Sequence, residues 1–330
     1  ATGVGTISAT SLAVKGNSLY LSKAAAGTTN CSTTASNCEL MIFDISTPTN
    51  PTYVVGRDTS ASAAGTQTLA INSITVNGNY LIAVKGGSAT ACSQTAGSAV
   101  GCEILVFDIS STTNPVYVAG RDVSGSAAGG GNLSIAFVTT SDNTIYVGKA
   151  GSVTACSQTA GSAIGCELMA FDFSSTTNPI YRAGLDVGGS ETGLQTLNVT
   201  SLAIADNYLY VTTGANAVEC DALVGSELGC EISVLDISSS SAMRLLTSRD
   251  AGGDETGVQS LAATFILPIE GYVIVAKAGV NTACTQVAGT AVGCEIMFFD
   301  TSRRSQGRIL ESQTATSSFS STNKRCSNDR

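Results

Sequence analysis

A constant step of 64 residues separates the five Cys-Glu pairs of this chain, and no other feature constrains the fold as strongly. The pairs begin at positions 38, 102, 166, 230 and 294. Each opens a variant of one stretch: CELMIFDISTPTNP, CEILVFDISSTTNP, CELMAFDFSSTTNP, CEISVLDISSSSAM and CEIMFFDTSRRSQG. Self-similarity at a fixed period marks a repeat architecture in which each unit buries its apolar face on a neighbour. Within the second repeat four strand signals follow one another: SITVN, YLIAVKG, CEILVFDIS and PVYVAGRD. Gly78-Asn79 joins the first two as a hairpin turn. Pro115 closes the TTNP turn and starts the fourth strand.

The third strand is apolar on both faces. In CELMIFDIS, Leu40 and Ile42 point one way, and Met41, Phe43 and Ile45 the other. A strand wet on one side alternates with polar residues, so these strands lie between two sheets. Four antiparallel strands repeated five times predict an all-β chain, a five-bladed β-propeller. A linear β-solenoid is the alternative, although its coils are usually shorter. The expected propeller domain covers residues 1–311, with repeats at about 8–69, 70–133, 134–197, 198–261 and 262–311, and a C-terminal tail at 312–330.

Ten of the eleven cysteines form local pairs: Cys31 with Cys38, Cys92 with Cys102, Cys156 with Cys166, Cys220 with Cys230, and Cys284 with Cys294. Zinc is the competing reading, but spacings of seven and ten in a chain without His fit no usual zinc knuckle. One pair per repeat around a small-residue loop predicts five disulfides, each contributing roughly 2.5–3 kcal/mol. Disulfides persist in oxidising compartments, which predicts an extracellular or cell-surface protein. No apolar run approaches the roughly 20 residues of a membrane span. Ala1 reads as the residue left after removal of a signal segment.

Charged residues make up 12% of the chain and aromatics 5%, with neither His nor Trp. Residues 1–300 carry a net charge of −13 and residues 301–330 one of +4. An acidic body argues against nucleic-acid partners.

At Phe43-Asp44-Ile45-Ser46 with Asn50-Pro51, Phe107-Asp108-Ile109-Ser110 with Asn114-Pro115, and Phe171-Asp172 with Asn178-Pro179, the chain resembles the LVIVD-repeat family. Leu235-Asp236-Ile237-Ser238 keeps the first half of the pattern and Phe299-Asp300 less. The resemblance implies a β-propeller of the kind found in bacterial and archaeal surface or secreted proteins. It implies no common activity, and so no catalytic residue.

Repetition also ranks the candidate sites. Asp44, Asp108, Asp172, Asp236 and Asp300 recur at a strand end, where they accept backbone N–H bonds from the next turn. Glu39, Glu103, Glu167, Glu231 and Glu295 recur beside the cysteines, and Lys23, Lys85, Lys149 and Lys277 end the preceding strand. They suit cross-strand pairs, worth roughly 0–1 kcal/mol if exposed. Arg57-Asp58 and Arg121-Asp122 belong to the same architectural class. Among less regular acids, Asp186, Glu191, Asp250, Asp254 and Glu255 offer oxygens to calcium, but no known calcium motif surrounds them. No carboxylate pair stands out as a glycosidase would need, so no enzyme and no cofactor are expected. Asn30, Asn132 and Asn198 fit the glycosylation sequon. The basic tail on an acidic body makes Arg303, Arg304, Lys324, Arg325 and the unpaired Cys326 candidates for contacts between subunits. The expected role is a surface or filament subunit that self-associates, with a monomeric lectin-like module that binds glycans as the alternative.

Overall fold

In the computed structural model the described residues are 8–24, 31, 38–62, 69–126, 129, 134–152, 154–175, 179–187, 197–214, 219–220, 229–239, 242–252, 262–278, 283–285, 293–301 and 311–312. They form twenty strands. The first repeat holds β1 (Ala9–Lys15), β2 (Ser18–Lys23), β3 (Leu40–Asp44) and β4 (Thr52–Arg57). The second holds β5 (Ile71–Asn77), β6 (Tyr80–Lys85), β7 (Ile104–Asp108) and β8 (Val116–Arg121). Next come β9 (Ile135–Ser141), β10 (Thr144–Lys149), β11 (Leu168–Asp172) and β12 (Ile180–Leu185). The fourth repeat has β13 (Val199–Ala205), β14 (Tyr208–Thr213), β15 (Ile232–Asp236) and β16 (Arg244–Arg249). The fifth has β17 (Ala263–Ile269), β18 (Tyr272–Lys277), β19 (Ile296–Asp300) and β20 (Glu311–Ser312).

Each repeat is one four-stranded antiparallel sheet with its strands in chain order. Two-residue loops close the first hairpins, pairing Lys15 with Ser18 and Asn77 with Tyr80. Gly16 and Gly78 open those loops at φ 55°, in the left-handed region that costs glycine nothing. A bulge follows the first residue of β1, β5, β13 and β17, between Ala9 and Ser11, Ile71 and Ser73, Val199 and Ser201, and Ala263 and Phe265. A bulge re-aims one side chain out of the ladder. Thr10 and Thr200 accordingly donate to the carbonyls of Ile71 and Ala263 in the next sheet. Asn72 Nδ2 donates to Ile135 O at 2.7 Å.

The core is a series of layers between sheets rather than one central cluster. Tyr20, Leu40 and Ile42 of the first sheet pack with Ile71 and Ile74 of the second. Ile82, Ile104 and Val106 pack with Val138 and Met169 of the third. Leu168 and Ala183 meet Leu209 and Val211 of the fourth, and Tyr210 and Val234 meet Ile266 and Val275 of the fifth. The two-sided apolar third strand therefore does what its pattern implies: alternate residues serve two different layers.

First strands meet in sequence: β1 on β5, β5 on β9, β9 on β13 and β13 on β17. Among the described residues no extensive contact joins the fifth sheet to the first. This all-β stack of five antiparallel sheets is consistent with a propeller, and among the described residues its two end sheets each leave apolar side chains uncovered, Leu12 and Val14 on the first and Ile296 and Phe298 on the fifth.

Candidate functional site

The junctions between sheets absorb most of the recurring polar residues. Asp44, Asp108, Asp172 and Asp236 accept the backbone N–H of Ser46, Ser110, Ser174 and Ser238 at 2.7–2.9 Å. Those bonds favour the ionised form and hold each carboxyl below its ordinary range. For Asp172, which also pairs with the exposed Arg182, the value falls to about 2.

Asp58 and Asp122 shape turns of a second kind. Asp58 Oδ1 accepts from Ser60 N at 2.9 Å, and Asp122 Oδ1 from Ser124 N at 2.7 Å. Each turn presents a serine carbonyl to the cysteine loop of the following repeat. Ser60 O receives Gly97 N at 2.9 Å, and Ser124 O receives Gly161 N at 2.8 Å. All five cysteine pairs are bonded, with sequence separations of 7 in the first repeat and 10 in the others. The loop that bridges two sheets is thus the one the disulfide closes. Gln94, from the same loop, clamps the outer strand by accepting from Gly120 N at 3.0 Å and donating to Gly120 O at 2.8 Å. Gly120 must be glycine, because a Cβ there would lie 2.3 Å from the Tyr117 hydroxyl and 2.6 Å from Cys102 Sγ.

The arginines of the first two Arg-Asp dipeptides cross to the next sheet. Arg57 donates to Pro115 O at 2.9 Å and Asn114 Oδ1 at 3.2 Å, and Arg121 donates to Pro179 O. The third repeat has Leu185 where arginine would stand, and the fourth has Met243 where proline would stand. These two share one apolar layer. Arginine and Asn-Pro are two ends of one contact: Leu185 and Met243 replace both ends together, whereas Arg249 is kept although residue 307 is glycine.

The Glu and Lys series is buried except at Glu295, so the small value for exposed pairs does not apply to the other members. Lys85, Lys149, Glu103 and Glu167 are sealed between the sheets. Glu103 accepts from Val123 N at 2.9 Å, Glu167 from Ser152 N at 3.1 Å, and Glu231 from Ala251 N at 2.7 Å. Burial raises Glu103 to about 8 and Glu167 to about 7, and lowers Lys85 and Lys149 to about 8. Thr213 replaces the lysine in the fourth repeat and donates to Cys230 O at 3.1 Å.

Asp186 and Asp250 are fully buried, and Asp250 accepts from Gly252 N at 2.8 Å. Glu191, Asp254 and Glu255 lie outside the described residues, as do Asn30, Asn132, Arg303, Arg304, Lys324, Arg325 and Cys326. Asn198 is exposed, and its Oδ1 accepts from Gly151 N at 2.9 Å. Among the described residues no group of three His, Cys, Asp or Glu is placed to hold a metal, and no helix is long and apolar enough to cross a membrane.

Sequence reasoning missed the end sheets. On the first sheet Leu12 is 61% exposed, although Ile74, Val138 and Ile266 at the matching position are buried. On the fifth sheet Ile296 is 61% and Phe298 44% exposed, although Leu40 and Ile42, Ile104 and Val106, and Ile232 and Val234 are buried there. Phe265 and Leu267 of β17 extend this exposed patch. The signal was present in β17, where Phe265 and Leu267 stand in place of Ser73 and Thr75.

Residues 34–59 match the LVIVD repeat. No curated protein sequence matches the chain. Among solved structures, a periplasmic gluconolactonase from Pseudomonas aeruginosa superposes with a TM-score of 0.51 at 12% identity, over 93% of this chain and 69% of that one. It shares the propeller-type fold with this chain. The extracellular domain of a hybrid two-component system from B. thetaiotaomicron reaches 0.43 at 12% identity, over 86% and 29%. An exo-β-1,3-galactanase from Phanerochaete chrysosporium also reaches 0.43, at 8% identity over 91% and 62%.

Proposed function

We propose that this chain is an extracellular structural and interaction protein, a five-bladed propeller-type module that self-associates into a filament or surface array. The observation that carries this reading is the pair of uncovered apolar faces on the first and fifth sheets. Repeat proteins end in polar capping repeats when their ends must stay in water, and large exposed apolar patches mark interaction surfaces. Five disulfides support an oxidising compartment. Apart from the exposed Glu295, the described recurring carboxylates are spent on turns and buried junctions, which supports a non-catalytic role.

Negative-stain microscopy of the full chain, beside a version ending at Ser312, tests the reading. Extended assemblies are expected from the full chain. Their loss on truncation would assign the connection to the tail, and their survival to the sheets. Single particles at every concentration would overturn self-association.

A second reading, a secreted glycan-binding module, is favoured by a cleft of about 320 Å³ between the third and fourth sheets. Asn143, Tyr146, Asp172, Ser174, Asn207 and Ser238 line it with hydroxyl, amide and carboxylate groups. A glycan-array screen with Asp172→Asn as control decides it: no ligand, or binding that ignores the substitution, removes this alternative.

A further inference from the structure

Building on the self-association proposed above, we infer that the uncovered face of the fifth sheet docks on the uncovered face of the first sheet of a second copy, continuing the stack head to tail.

The chain itself supplies the template. Four times, one sheet presents the even-numbered residues of its third strand, such as Leu40 and Ile42, to the first strand of its successor. The receiving strand answers with the residue at the position of Ile74. The fifth sheet is the giver without a receiver: Ile296 and Phe298 occupy the places of Leu40 and Ile42. The first sheet is the receiver without a giver: Leu12 occupies the place of Ile74, with Val14 beside it, also exposed. The two bare surfaces are therefore the two halves of an interface that the molecule already builds four times.

Two details favour a second copy of this chain over an unrelated partner. The bulged residue that donates into the next sheet in Thr10 and Thr200 is Thr264 in the fifth repeat. Its hydroxyl turns back to Ala276 O, at 3.2 Å, within its own sheet. The same threonine sits where the carbonyl of Ala9 in a following copy would meet it by the internal rule. In addition, the giver face of the fifth sheet is more apolar than that of the fourth, with Phe265 and Leu267 in place of Ser201 and Ala203. A terminal repeat selected to face water would have drifted the other way.

A contact of this kind is heterologous: different patches meet, so each copy keeps one free end and the assembly extends or closes into a ring of several chains. That property gives a test that one-sided mutagenesis lacks. Leu12→Asp with Val14→Asp blocks the receiver, and Ile296→Asp with Phe298→Asp blocks the giver. All four sites are exposed in the single chain, so both variants keep the wild-type circular dichroism.

Sedimentation velocity then reads the masses. The wild type is expected to form species larger than two chains, and each variant alone to run as a single chain. A 1:1 mixture of the two variants is expected to run at twice the single-chain mass and no higher, because each contributes its one intact face. Assembly by either variant alone, or a mixture that stays at single-chain mass, overturns the docking assignment while leaving self-association by another route. A wild type that stays at single-chain mass overturns both.

Discussion

The second and fifth sheets carry the same first three strands in the same register, yet one is sealed on both faces and the other on one. Ile104 and Val106 lie under the third sheet and Glu103 is buried beside them, whereas Glu295, Ile296 and Phe298 at the matching positions are exposed. A strand's alternation says which residues share a face. It does not say whether that face has a neighbour. One residue type betrays the missing neighbour: Leu267 stands where the internal faces carry Ala13, Thr75, Thr139 and Ala203.

The largest effect that could break this comparison is in the packing. Ile104→Ala should cost about 2–5 kcal/mol, because it leaves a cavity between two sheets. Ile296→Ala should stay within about 0.5 kcal/mol, as a surface change does. Guanidinium unfolding at concentrations where the chain is single would show it, and equal losses would abolish the distinction.

Disulfides sharpen it next. Cys92→Ser with Cys102→Ser and Cys284→Ser with Cys294→Ser open loops of the same separation, 10 residues. Chain entropy assigns each roughly 2.5–3 kcal/mol. The second-repeat loop also holds Ser60 of the sheet before it. Its removal should therefore broaden unfolding into separate steps for the first sheet and the rest, detectable by calorimetry.

The rim contact comes third. Arg57→Ala should cost about 1.5–3 kcal/mol by stripping hydrogen bonds from a charged donor. A double-mutant cycle with Asn114→Ala should return a coupling of about 0.5–1.5 kcal/mol, and a coupling of zero would mean that the two residues do not act together.

The last effect is in pH and is read by its direction. Burial holds Glu103 up to about 8, from 4.5. Between those values the folded chain keeps a proton that the unfolded chain releases, so stability falls as pH rises. Burial also lowers Lys85 to about 8, from 10.5. Across that window the unfolded chain holds the extra proton, so stability climbs with pH. A shallow minimum in Tm near pH 8 is the expected outcome. Glu103→Gln should flatten the acid-side limb and, by removing the carboxylate that supports the Lys85 ammonium, start the alkaline limb at lower pH; an unchanged profile would remove Glu103 as its cause.

Several junction residues are legible in the amino-acid pattern, though their partners are not. Asp108 reads as a turn group because its bond to Ser110 N spans two residues. Arg57 and Pro115 both stand out as repeated, but 58 positions separate them, and no local rule joins them. Lys85 and Glu103 look like a surface pair because their strands are adjacent. Their burial depends on the sheet stacked above, which strand patterning does not encode.

The five-fold period, the strand alternation, the hairpin glycines and the cysteine spacing determined the sheets by themselves, since every one of those interactions closes within a single repeat. The stacking of sheets, the depth of the Glu and Lys series and the two bare ends were decided only in the tertiary structure. Whether the last sheet meets the first depends on small rotations between neighbours summed along the whole stack, and such a sum is a property of the assembled molecule, not of any stretch of sequence.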